Sequence, residues 1–187
     1  MLTRIGRVEI DERPDGHCGY WSVGRFLHFL FGVRFTASSG LVRWTRAYVA
    51  RAIEAHIDEL VLVTLWPNHA NFEWNTRRRR LAAEAEENFV LAARAIRNVP
   101  PDRVTMNREH WFGGRSRLHF FAVARASAVP VHCLHQHYPK VITVRPNCAH
   151  EETPMDRFTP DDDRDFFLYF VNGNHYKSFV PRSAGAS

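Results

Sequence analysis

The chain is short of cysteine, of lysine and of long hydrophobic runs, and each shortage removes a class of answer. Cysteine occurs only as Cys18, Cys133 and Cys148, neither even in number nor closely spaced. That excludes a disulfide framework and fits a reducing compartment. The longest apolar run, Phe26 to Val33, is broken by His28 and is far too short to cross a bilayer, so no membrane partner is expected. Met1 to Gly16 has no apolar h-region of the kind a secretory signal carries, and the expected location is cytoplasmic. The basic residues are almost all arginine, and the net charge of +5 permits loose association with anionic surfaces without demanding nucleic acid. The run Arg77 to Arg80 reads as a solvated helix start, although four arginines there oppose the helix dipole. It has no interleaved aromatics, so no nucleic-acid partner is expected. No internal repeat is present. What remains is a globular composition, 45% hydrophobic and 13% aromatic, too apolar for a disordered chain. At 187 residues one domain is expected over 1–181, followed by a small, polar, disordered tail at 182–187.

Taken in order, Arg7-Val8-Glu9-Ile10 is a short strand-like patch. A helix follows from Cys18 to about Phe31, with Val23, Leu27, Leu30 and Phe31 at helical spacing. Ser38-Ser39-Gly40 is a cap-like break before a second helix striped by Val42, Val49, Ile53, Ile57 and Leu60. The run Leu60 to Trp66 fits either the end of that helix or a short buried strand. Pro67 to Trp74 reads as a loop. A third helix carries Leu81, Ala85, Phe89, Ala92 and Ile96, closed by Pro100-Pro101-Asp102. After a turn-rich stretch, Glu109 to Arg117, a fourth helix carries Leu118, Phe121, Ala122 and Arg125. Strands are expected at Val129–Leu134 and Val141–Val144, then an acidic loop from Glu151 to Asp165. Asn172-Gly173 between two apolar-aromatic runs is a strong hairpin signal. Helices first and a mostly antiparallel sheet later give an α+β fold.

The chemistry gathers at Asp15-Gly16-His17-Cys18-Gly19-Tyr20-Trp21-Ser22. A tight turn delivers Cys18 to the start of a helix, where the dipole and free backbone N–H groups favour a thiolate and suit an oxyanion. The bland alternative is a buried cysteine after an ordinary turn. His175, just past the hairpin turn, supplies what a nucleophilic thiol lacks, a base. A cysteine opening a helix and a histidine on a late strand are the arrangement of papain-like thiol hydrolases.

Three blocks, in order, resemble the ovarian-tumour (OTU) family of cysteine proteases, which act mainly as deubiquitinases. The block from Asp15 to Ser22 is similar to the family's Asp-Gly-x-Cys block. Trp111-Phe112-Gly113-Gly114 with Leu118, Ala122, Ala124 and Val129-Pro130-Val131 is similar to its Trp-Gly-Gly helix–strand block. His175-Tyr176-Lys177-Ser178-Phe179-Val180-Pro181 is similar to its closing His-Tyr block. The resemblance implies a papain-like OTU fold with helices around a small sheet, Cys18 as nucleophile, His175 as general base and an oxyanion hole in the 15–18 turn. It implies hydrolysis of isopeptide bonds after the terminal glycine of ubiquitin or a ubiquitin-like modifier, with ubiquitin or its chains as partner and no cofactor. Trp111, Gly113, Gly114 and Tyr176 would wall the slot for the ubiquitin tail; Asp161, Asp162 and Asp163 are candidates to meet its arginines, although the acidic run reads first as a solvated loop.

The departures keep other readings open. Many relatives place Asp or Asn two residues after the histidine; here Lys177 has donors only and cannot accept from a ring N–H. Asp15 is the first candidate to orient His175, with Asn172 and Asn174 as alternatives. Gly19 stands where a large apolar residue is usual, and Trp21, in place of a common arginine, suits core or substrate wall. The alternatives are a weak or inactive ubiquitin-binding module and a polyprotein-processing viral or transposon protease. Size and arginine content would also suit an effector secreted into a host cytosol. Finally, His132, Cys133, His135, His137, Cys148 and His150 form a His/Cys-rich patch. Cys133, His135 and His137 alternate, so a strand would put them on one face as zinc ligands. The spacing matches no common structural-zinc pattern, and no metal is expected.

Overall fold

Eleven elements follow one another in a computed structural model, described over residues 6–13, 17–32, 38–66, 73–98, 118–162, 164–172 and 175–181. They are β1 (Arg7–Asp11), α1 (Cys18–Phe31), α2 (Ser38–Ala55), α3 (Ile57–Leu65), α4 (Thr76–Asn98), α5 (Leu118–Ser127), β2 (Val131–His135), β3 (Tyr138–Val144), β4 (His150–Pro154), β5 (Phe166–Val171) and β6 (His175–Pro181). The strands form one sheet in the order β1-β6-β5-β2-β3-β4. All neighbours are antiparallel except β2 and β5, which run parallel. The architecture is α+β, as the layout of the sequence predicts.

Alternation along the strands gives the sheet two faces. Phe166, Leu168 and Tyr176 join Val131, Cys133 and Val144 in the main core, under α1, α2, α4 and α5. Phe167 and Phe179 pack with Leu134 and Val141 in a smaller cluster, covered by Met155 and Phe158. Tyr20, Val23 and Leu27 of α1 are fully buried, and each such apolar side chain contributes about 1.5–3 kcal/mol. Helix α1 stops at Gly32, whose φ of 64° is left-handed and whose N–H donates to the His28 carbonyl at 2.8 Å.

The undecided run Leu60–Trp66 is helical: α3 occupies most of it and buries Leu60, Val61 and Val63. The expected acidic loop from Glu151 begins instead as β4. Its residues are mostly exposed and alternate no apolar face, because β4 is an edge strand paired only with β3. Cross-strand contacts hold it: Tyr138 Oη and Lys140 Nζ reach Glu152 Oε2 at 2.7 and 3.3 Å. Charge on such an edge discourages further pairing. At Asn172, φ is 53°, the left-handed conformation an Asn-Gly hairpin turn uses.

The outcome that matters for function is the pairing of β1 with β6. It lays the start of the chain against its last strand, Arg7 opposite Pro181 and Asp11 opposite Lys177.

Candidate active site

Cys18 is the first residue of α1. The N-cap residue, His17, supplies no side-chain cap, and no acid stands in the first turn. The Trp21 N–H closes the first helical bond on the His17 carbonyl at 2.9 Å, and Ser22 Oγ donates to the Cys18 carbonyl at 3.0 Å. Strand β1 ends one residue short of Tyr176 in its register with β6. The Tyr176 N–H donates instead to Cys18 Sγ, at 3.4 Å. The thiol therefore meets β6 at the residue bordering His175. A backbone donor and a helix N-terminus both favour negative charge on that sulfur. The sulfur is sheltered, with Cys18 only 7% exposed.

His175 shares a face of β6 with Lys177 and Phe179. Its Nε2 lies 3.0 Å from Asp11 Oδ1, and its side chain is 16% exposed against 72% for Asp11. With Nε2–H donated to that carboxylate, Nδ1 is the ring atom left to accept a proton. The acid beside the imidazole thus comes from the neighbouring strand. Lys177, at the position where the resemblance leads one to look for it, binds Glu9 Oε1 at 2.7 Å. That contact raises the lysine pKa above its ordinary value, with smaller contributions from the Glu9 and Asp11 charges.

Glu12 fixes these pieces to one another. Its buried carboxylate receives Arg25 Nε at 2.9 and 3.0 Å and Ser178 Oγ at 2.6 Å. It therefore ties the end of β1 to α1 and to β6, the two elements that carry Cys18 and His175.

Other residues singled out in the sequence fall elsewhere. Asp15, Trp111, Gly113, Gly114, Asp163 and Asn174 lie outside the described residues, as do residues 15 and 16 of the expected oxyanion turn. Tyr176 turns its ring into the main core against Phe120 and Phe170 and is 7% exposed. Burial, followed by the Cys133 and Cys18 charges, pushes its pKa well up. Trp21 is also buried, with the Arg13 guanidinium 5.3 Å over its ring. The Asn172 N–H is taken by Gln136 Oε1 at 2.9 Å. Asp161 and Asp162 precede β5, whose far end pairs with His175, about 17 Å of strand away. Asp161 binds Arg145 at 2.6 Å and Asp162 accepts the Arg164 N–H, contacts that suit the solvated loop the sequence suggests.

The His/Cys patch disperses. A register shift after Leu134 and a turn at 136–137 break the alternation. His132 is buried between Thr143 Oγ1 at 2.9 Å and Asp165 Oδ2 at 3.0 Å. Among the described residues no three His, Cys, Asp or Glu side chains form a group able to hold a metal, and no helix is long and apolar enough to cross a membrane.

Asp11, the carboxylate beside His175, is not among the residues the sequence singles out. It closes the strand-like patch a few positions before the cysteine turn, and only the β1–β6 pairing makes it a neighbour of His175.

No protein-family model and no curated protein matches the chain. A solved structure does: the crystal structure of an OTU deubiquitinase from Wolbachia pipientis wMel superposes with a TM-score of 0.55. The match covers 97% of this chain and 93% of that one at 11% identity. The fold of this protein is OTU-like.

Proposed function

We propose that the chain is a thiol-dependent deubiquitinase, hydrolysing isopeptide bonds after the C-terminal glycine of ubiquitin or a ubiquitin-like modifier. The observation that carries this reading is the meeting of Cys18 and the His175 strand beside Asp11, on an OTU-like fold. Cys18 is the nucleophile and His175 Nδ1 takes its proton. The thiolate attacks the glycine carbonyl, and the imidazolium protonates the departing lysine amine, leaving a thioester on Cys18. Water, deprotonated by the same imidazole, then releases the modifier and restores the thiol. Asp11 holds the ring by Nε2 and supports its positive charge. The first turn of α1, with the chain just before it, is suited to the oxyanion. Trp111, Gly113 and Gly114 are proposed to narrow the slot for the two glycines of the ubiquitin tail. Tyr176, its ring packed in the core, is proposed to serve through its N–H on the sulfur and not as a wall of the slot.

Lys177 and Gly19 favour a binding module without turnover; the Asp11 carboxylate beside His175 supports turnover instead.

Ubiquitin carrying a C-terminal thiol-reactive warhead tests the reading. Wild type should form a covalent adduct; Cys18→Ala should form none, and His175→Ala should react at least about 100-fold more slowly. Folded wild-type protein that binds ubiquitin and never forms the adduct is the result that defeats hydrolysis and leaves the binding module.

A further inference from the structure

His175 and Lys177 reach for the same atom. Asp11 Oδ1 lies 3.0 Å from His175 Nε2 and 3.8 Å from Lys177 Nζ. Lys177 stands directly opposite Asp11 in the strand register. Until His175 carries a proton its ring is neutral, and a full ammonium is then the stronger partner for a carboxylate. Left to itself, Lys177 would close the short remaining distance and take the oxygen that orients the imidazole. It is held back by Glu9. Two residues before Asp11, and on the same face of β1, Glu9 places Oε1 2.7 Å from Lys177 Nζ. Among the described residues, Glu9 and Asp11 from β1, His175 and Lys177 from β6 and Tyr169 opposite Lys177 on β5 make up this cluster, and the Cys18 thiol of α1 touches β6 at the Tyr176 N–H next to it.

We propose that Glu9 is a positioning residue: it restrains the Lys177 ammonium so that Asp11 remains the partner of His175. The inference rests on the reading of Cys18 and His175 as a thiol–imidazole pair. It also explains how a lysine is tolerated two residues after the histidine. The cross-strand pair Glu9–Lys177 neutralises the misplaced cation, and the acid moves to the neighbouring strand.

Four proteins test it: wild type, Glu9→Gln, Lys177→Met and the double variant. The readout is the second-order alkylation of Cys18 by a small haloacetamide at neutral pH, followed on the Cys18 peptide by mass spectrometry. Adduct formation with warhead-bearing ubiquitin and thermal unfolding are measured beside it. Glu9→Gln should slow Cys18 alkylation about 10-fold, within the roughly 100-fold that misplacing a reactive group costs. Lys177→Met should react as wild type or faster, and the double variant should recover to the Lys177→Met rate. A purely structural ion pair predicts a different pattern, equal losses in both single variants and no recovery. That pattern, or an unchanged Glu9→Gln rate, overturns the proposal. Failure of wild type to capture ubiquitin defeats the ubiquitin reading instead, and leaves the ordering of the four alkylation rates to be judged by itself.

Discussion

Asp11 offers one carboxylate oxygen to His175 while 72% of its side chain stays in solvent. Exposed pairs of this kind add at most about 1 kcal/mol to stability, because water screens them and ordering the side chains costs entropy. Its proposed work, holding one tautomer and one ring orientation, is worth far more to a rate than to the fold. Asp11→Asn should therefore lower kcat by about 100-fold with KM and Tm close to wild type, and Asp11→Glu should keep more activity than Asp11→Asn. An Asp11→Asn enzyme with wild-type kcat would remove Asp11 from the site. Asp15, which the resemblance sets beside Cys18, lies outside the described residues; the carboxylate beside His175 is Asp11, which reaches it across a strand boundary. Cys18 and His175 are legible because each carries its own local signal, a turn into a helix and a residue just past an Asn-Gly turn. Asp11 carries none; its proposed role exists only in the register that sets it opposite Lys177.

At the scale of elements, legibility follows apolar periodicity. The stripe along α1 marks it from Cys18 to Phe31, whereas β4 has no such stripe and reads as loop. The contact between α1 and α2 rests on Gly24, and no sequence pattern marks why. A methyl group there would lie 2.6 Å from Thr45 Oγ1 and 2.8 Å from Leu41 Cδ1. Thr45 Oγ1 cannot simply swing away, since it donates to the Leu41 carbonyl at 2.8 Å. Gly24→Ala gains up to about 1 kcal/mol of helix propensity and meets overpacking of about 1–3 kcal/mol. The expected net result is a loss of about 1–2 kcal/mol in urea unfolding. Equal or greater stability would show that the two helices have room to separate. Because Cys18 opens the same helix, Gly24→Ala should also slow thiol alkylation.

For the whole molecule, buried titratable groups set the response to acid. Burial, with a further push from the Arg46 charge, lowers the His119 pKa to about 3. Its ring meets Tyr20 Oη at 3.1 Å, and Arg46 lies 4.6 Å over the Tyr20 ring. The folded state refuses a proton that the unfolded chain accepts near the ordinary value of 6.5. Stability is then full above that value and falls with pH toward about 3, by about 1.4 kcal/mol per pH unit at most. Asp165 adds to this at lower pH. Burial raises its pKa, but the His132 contact and the N–H groups of Asp162 and Asp161 outweigh that and hold it below 3.8. Its contribution is present above the ordinary carboxylate value and is lost as pH falls through the folded one. Urea midpoints between pH 7 and 4 should decline in wild type and flatten in His119→Gln. Parallel curves would place the acid sensitivity elsewhere.

The hydrogen bond between His175 and Asp11 spans 164 positions of sequence, and that from Tyr176 to Cys18 spans 158. During synthesis the thiol and its acid leave the ribosome early and the imidazole leaves late. Every nascent chain shorter than this carries a cysteine at a helix start with no base to activate it. Closing so wide a loop is slow and is stabilised only when the last strand docks. On the proposed pairing of Cys18 with His175, reactivity is timed by translation itself, and switches on when β6 slides into place between β1 and β5.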